Sequence, residues 1–111
     1  MLSGEDLENA DYYSKWVEGK ILTEGKDRLV ENTLGLVGEA GEVAEKIKKL
    51  IRDSSRFTEE DIAKELGDVV FYVTALGNLY GYSLEAIIEL NMEKLDGRQA
   101  RGTLKGSGDD R

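Results

Sequence analysis

Two carboxylate pairs, Glu39-x-x-Glu42 and Glu65-x-x-Asp68, are the residues of this chain best placed to do chemistry. Each falls in a stretch with helical periodicity, and residues three apart on a helix share one side, roughly 60° apart around the axis. Four acids gathered from facing helices repel one another unless a cation neutralises them. Carboxylate oxygens suit a hard divalent ion such as Mg²⁺, with Mn²⁺ as a substitute. The pattern therefore points to a metal site that handles a polyphosphate.

The rest of the composition narrows the alternatives. With no Cys and no His, the chain has no disulfides, no zinc thiolates, no cysteine nucleophile and no Ser-His-Asp triad. Catalysis is left to carboxylates, Lys, Arg, Tyr, Asn and a bound ion. The net charge of −8 argues against a nucleic-acid polymer as partner, because a phosphate backbone needs a basic footprint. No apolar run is long enough for a membrane span and the start lacks a signal-peptide pattern, so the expected location is cytoplasmic. At 111 residues the chain suits one domain of modest core, a size at which oligomerisation often adds stability.

Four helical segments are expected to position the acids, with no strand and no proline anywhere. The first spans about Gly4 to Ile21, capped by Ser3, with an apolar stripe of Leu7, Ala10, Tyr13, Trp16, Val17 and Ile21. The second runs from about Asp27 to Arg52 and ends at Asp53-Ser54-Ser55. The third follows a capping box of Thr58 and Asp61 and runs to about Tyr80, where Gly81 ends it. The fourth starts after Ser83 and stops near Gly97. Residues 1–97 then form the helical domain, and 98–111 read as a flexible tail rich in Gly and charge.

Helical-wheel arithmetic relates the two pairs. With Ala40 and Leu66 as centres of their apolar stripes, Glu39 and Glu65 both fall at roughly −100°, and Glu42 and Asp68 at roughly −160°. Antiparallel packing of these helices brings both pairs to one cleft. Lys46 and Lys49 follow the same side, Tyr72 returns to it one turn after Asp68, and Glu45 points away into solvent. Apolar residues on both faces of the third helix suggest cover from a partner subunit. In the fourth helix Asn91 falls within the apolar stripe, which implies burial, with Lys94 and Arg98 along the same edge as a phosphate-facing set. Trp16, with Tyr12 or Tyr13, suits stacking on a base, and Trp16 suits the core equally well. The glycines Gly35, Gly38, Gly41 and Gly67 read either as close helix packing or as room kept beside the acids.

Gly35-Leu36-Val37-Gly38-Glu39-Ala40-Gly41-Glu42-Val43-Ala44, followed by Glu65-Leu66-Gly67-Asp68-Val69 with a 22-residue spacer (Val43 to Lys64) between the two acidic pairs, closely resembles the MazG-like all-α nucleoside triphosphate pyrophosphohydrolases. Asn91-Met92-Glu93-Lys94-Leu95 resembles that family's Asn-x-x-Lys-Leu segment. The first helix matches only loosely, through Tyr13-Ser14-Lys15-Trp16. The resemblance implies an all-α bundle of four to five helices completed by a homodimer or homotetramer. It implies Mg²⁺ held by Glu39, Glu42, Glu65 and Asp68, and cleavage of a (d)NTP between its α- and β-phosphates to (d)NMP and pyrophosphate, in a nucleotide house-cleaning role. The family also includes chains with a further acid directly before the first Glu, where Gly38 stands here, so ion number and the choice of Glu39 or Glu42 as base stay open. Phosphoribosyl-ATP is an alternative substrate. A non-catalytic, metal-binding helical interaction module is the alternative to an enzyme. For the tail, the expectation is that Arg101, Lys105 or Arg111 closes over bound phosphates.

Overall fold

The structure, a computed structural model, describes residues 1–53, 57–100 and 102, all of whose regular elements are helices. In order these are α1 (Gly4–Asn9), α2 (Tyr12–Lys20), α3 (Gly25–Asp53), α4 (Glu59–Leu79) and α5 (Leu84–Ala100). The expected closing roles of Arg101, Lys105 and Arg111, and the breaker Ser54-Ser55, lie outside the described residues.

The expected first helix is two. Ala10 leaves the helical region, and the Asp11 side chain accepts from the Ser14 amide at 2.7 Å, capping a new helix. A strong N-cap residue inside an apolar stripe thus outweighs the periodicity. Thr58 forms the expected capping box with Asp61, Ser3 caps α1 as expected and forms a box with Asp6 as well, and Gly81 ends α4 with a φ of 85°, a conformation that favours glycine. At its far end α5 continues through Gly97 to Ala100, past the expected stop.

α4 is the hub: α2, α3 and α5 each pack on it, and it contributes Thr74, Ala75, Gly77 and Asn78 to the buried interior. Three features lock the assembly. Arg28, 1% exposed, makes a two-pronged ion pair with Glu18 at 2.7 and 2.8 Å and donates to the Ala75 carbonyl at 3.2 Å. Asn78 donates from α4 to the Ser14 carbonyl and to Glu18. The first amides of α5, at Leu84 and Glu85, donate to Ser14 Oγ and Asp11 Oδ2, both at 2.8 Å. Burial alone would push the Asp11 carboxyl up, but the Ser14 and Glu85 amides that donate to it hold it below its ordinary value.

The α3–α4 seam falls on a different side of α3 from the one its apolar stripe suggests. Glu39, Val43, Lys46 and Leu50 are half-buried, whereas Val37, Ala40, Ala44, Ile47 and Ile51 face outward. Leu66 is likewise 49% exposed. The acids sit in the seam between the helices, and the stripe expected to be core remains uncovered within one chain. On α5, Ile88, Leu90 and Met92 are also exposed, and so is Asn91, contrary to its expected burial.

Candidate metal centre

Antiparallel packing of α3 on α4 brings Glu39, Glu65 and Asp68 together, with one carboxylate oxygen from each lying within 4.8 Å of the others. Glu39 and Glu65 are half-buried and Asp68 is exposed, so the group opens to solvent on one side. Loss of hydration, then the charges of Asp68, Glu65 and Glu42 and a hydrogen bond with Glu65, push the Glu39 carboxyl above its ordinary value. Glu42 stands outside the three, exposed on α3, yet near enough for its charge to act on Glu39.

Lys46 lies beside the group, its Nζ 3.6 Å from Glu65 Oε1 and 4.5 Å from the centre of the Phe57 ring. Lys49 instead pairs with Glu45 at 4.0 Å along the helix surface. Among the acids, Glu45 stays solvated as the wheel arithmetic expects.

The glycines divide between the two readings given for them. A Cβ on Gly35 would lie 2.4 Å from the Tyr72 ring, so Gly35 permits close packing. A Cβ on Gly38, Gly41 or Gly67 would meet nothing within 4 Å, so these three leave open space beside the acids.

An aromatic wall flanks the group. Tyr13 and Trp16 stack at 5.7 Å, Trp16 meets Phe71 edge-on at 6.1 Å, and Phe71 meets Tyr72 edge-on at 5.3 Å. Burial, then the nearby charge of Asp68, raises the Tyr13 phenol above its ordinary value, which ties this wall to the acids electrostatically. Trp16 is 44% exposed and Lys20 lies over its ring at 5.3 Å, so it is not core. Lys94 is exposed on α5, and Arg98 on the same helix is buried.

Sequence reasoning missed two polar groups: the Arg28–Glu18 pair, which joins different helices at no helical spacing, and Asn32, 4% exposed in α3. The carboxylate set fits a divalent cation: hard oxygen donors from two helices converge within 4.8 Å. The profile of the MazG nucleotide pyrophosphohydrolase domain matches residues 29–102, the span that contains every one of these acids.

The chain belongs to the MazG family. A relative, the Gene 37 protein of Mycobacterium phage L5, is 45% identical over 83 residues, covering 71% of this chain and 73% of that protein. No solved structure matches significantly. The match supports the all-α architecture and assigns the chain to a family of hydrolases acting on phosphoric anhydrides. As a MazG domain it has no helix, among the described residues, long and apolar enough to cross a membrane.

Proposed function

We propose that this protein hydrolyses nucleoside triphosphates between the α- and β-phosphates, releasing a nucleoside monophosphate and pyrophosphate. The observation that carries the reading is the convergence of Glu39, Glu65 and Asp68 within 4.8 Å inside a MazG domain. These three carboxylates would hold Mg²⁺, with Glu42 beside them. The ion, when bound, draws charge from the phosphoryl oxygens and orients a water for attack on the α-phosphorus.

The protein's own groups do the rest. Glu42, outside the three-carboxylate group, takes the proton of the attacking water as the α–β anhydride bond breaks. Lys46 leaves Glu65 to meet phosphate oxygens once the carboxylates are neutralised, and Lys49, Asn91, Lys94 and Arg98 are further phosphate contacts. Trp16 and Tyr72 form the wall against which the nucleoside rests. A house-cleaning role in a cytoplasmic nucleotide pool is the physiological setting we favour.

A homodimer or homotetramer completes the fold in this reading. It is supported by the outward stripe of Val37, Ile47 and Ile51 on α3, with Leu66 on α4 and Met92 on α5, an apolar surface unusual for a soluble monomer. Light scattering should give at least twice the chain mass.

The decisive measurement is pyrophosphate release from a panel of nucleotides with and without Mg²⁺. Glu65→Gln should lower kcat/KM at least about a hundredfold, since a metal's charge stabilisation is worth several kcal/mol at roughly 1.4 kcal/mol per factor of ten. Full Mg²⁺-dependent turnover by that variant would reject the metal assignment. Glu42→Gln should keep metal binding by calorimetry and lose turnover.

A further inference from the structure

A small cleft of about 160 Å³ lies beneath the connection between α2 and α3, lined chiefly by Lys20, Thr23, Glu31, Asn32, Phe71 and Tyr72. Its floor holds an anomaly. Asn32 is 4% exposed, and its Nδ2 is out of water with no hydrogen-bond partner. Native proteins rarely leave a buried amide donor unanswered. The walls are the Phe71 and Tyr72 rings, set edge to face at 85°, with Tyr72 held against Gly35. The rim is Lys20 and Glu31, both exposed and carried on flexible chains that can swing aside.

The position relates this cleft to the acids. Asn32 precedes Glu39 by seven residues, about 10 Å along α3, and Tyr72 follows Asp68 by one turn, about 6 Å along α4. A ligand spanning both places has a flat polar end at the cleft and phosphates at the carboxylates.

We propose that this cleft takes a pyrimidine base and that Asn32 reads it, its Nδ2–H donating to a ring carbonyl. This inference rests on the nucleotide pyrophosphohydrolase reading and adds a base preference to it. A cleft of about 160 Å³ has room for a single ring between its aromatic walls. The aromatic corner supplies a face for that ring, and the amide supplies the donor that a pyrimidine carbonyl lacks once it leaves water. Trp16, the single tryptophan, touches Phe71 and lies under Lys20, so its fluorescence reports on the cleft.

Titrating the metal-free protein with free nucleosides separates this inference from the reading it rests on, because no phosphate takes part. Uridine or thymidine should change the Trp16 fluorescence saturably, and adenosine should bind at least about tenfold more weakly. Asn32→Leu, which removes the donor, and Asn32→Asp, which keeps the shape and replaces the donor with an acceptor, should each weaken pyrimidine binding at least about tenfold. Circular dichroism checks that each variant folds, and Asn32→Asp decides if the leucine variant does not. Equal binding of purine and pyrimidine nucleosides by the wild type, or unchanged pyrimidine binding by Asn32→Asp, would overturn the inference. Pyrophosphate release without base preference would overturn it while leaving the proposed activity intact. Selective nucleoside binding without pyrophosphate release would do the reverse.

Discussion

The α3–α4 pair handles charge in opposite ways at two places along its length. Near the start of α3, Arg28 is enclosed with both its Glu18 contacts made, Asn78 also donates to Glu18, and Arg28 donates to the Ala75 carbonyl. Further along α3, Glu39 meets Glu65 and Asp68, with Lys46 beside Glu65. The first arrangement holds α2, α3 and α4 in register. The second works against the fold, since like charges in a helix seam repel. One charge is thus met by its counter-charge inside the fold, whereas three carboxylates face one another across the seam.

That contrast can be tested from both sides. The largest effect is expected at the locked end: Glu18→Gln leaves the Arg28 guanidinium buried without its counter-charge and should destabilise by about 3–5 kcal/mol in denaturant unfolding. A loss below 1 kcal/mol would show that the pair is not what joins the helices. Next comes the packing between the two ends. Gly35→Ala drives a methyl group into the Tyr72 ring and should cost about 1–3 kcal/mol. Gly67→Ala meets open space and should instead stabilise the helix by up to about 1 kcal/mol, while lowering activity by filling room beside the acids.

The smallest effect is expected at the acid end, and it has the opposite sign. Glu39→Gln should raise the melting temperature of the metal-free protein at neutral pH by a few degrees at most. The two ends also respond oppositely to acid. The hydrogen bond to Arg28 holds the Glu18 carboxyl below its ordinary value, so its contribution to stability is present above the unfolded value and lost as pH falls through the folded one. Glu39 is raised, so its contribution is present below the unfolded value and lost as pH rises through the folded one. The gain from Glu39→Gln should therefore vanish as pH drops through the carboxylate range. A gain that grew on acidification would contradict the geometry of the seam.

Much of this was readable from residue spacing. The caps at Ser3 and Thr58 and the stop at Gly81 follow from local rules acting within a turn or two of helix, and the wheel arithmetic brings Glu39 to Glu65 and Asp68, though not Glu42. What spacing did not reveal is which face of α3 its partner helix takes. Periodicity identifies residues that share a face, and it located the stripe of Val37, Ala40, Ala44 and Ile47 correctly as a stripe. It carries no information on what covers that stripe, so the seam with α4 formed on the neighbouring side. The same blindness explains Asn91, exposed where its apolar neighbours suggested burial. Glu18 and Arg28 escaped notice because contacts between helices at unrelated positions leave no periodic trace, and Asn32 because an unanswered amide is visible only in three dimensions.

The start of α5 has a consequence for where this domain can be cut. Its leading amides are satisfied by Asp11 and Ser14, 74 and 70 positions earlier in the chain, and Arg28 ties α3 back to the same early helix. Both ties originate before residue 29, where the match to the MazG domain begins. Excising residues 29–102 as a minimal unit would remove Asp11, Ser14, Glu18 and Arg28 together. Fast amide hydrogen exchange at Leu84 and Glu85 would be the first sign, a loosening at one end of the chain caused by a deletion at the other.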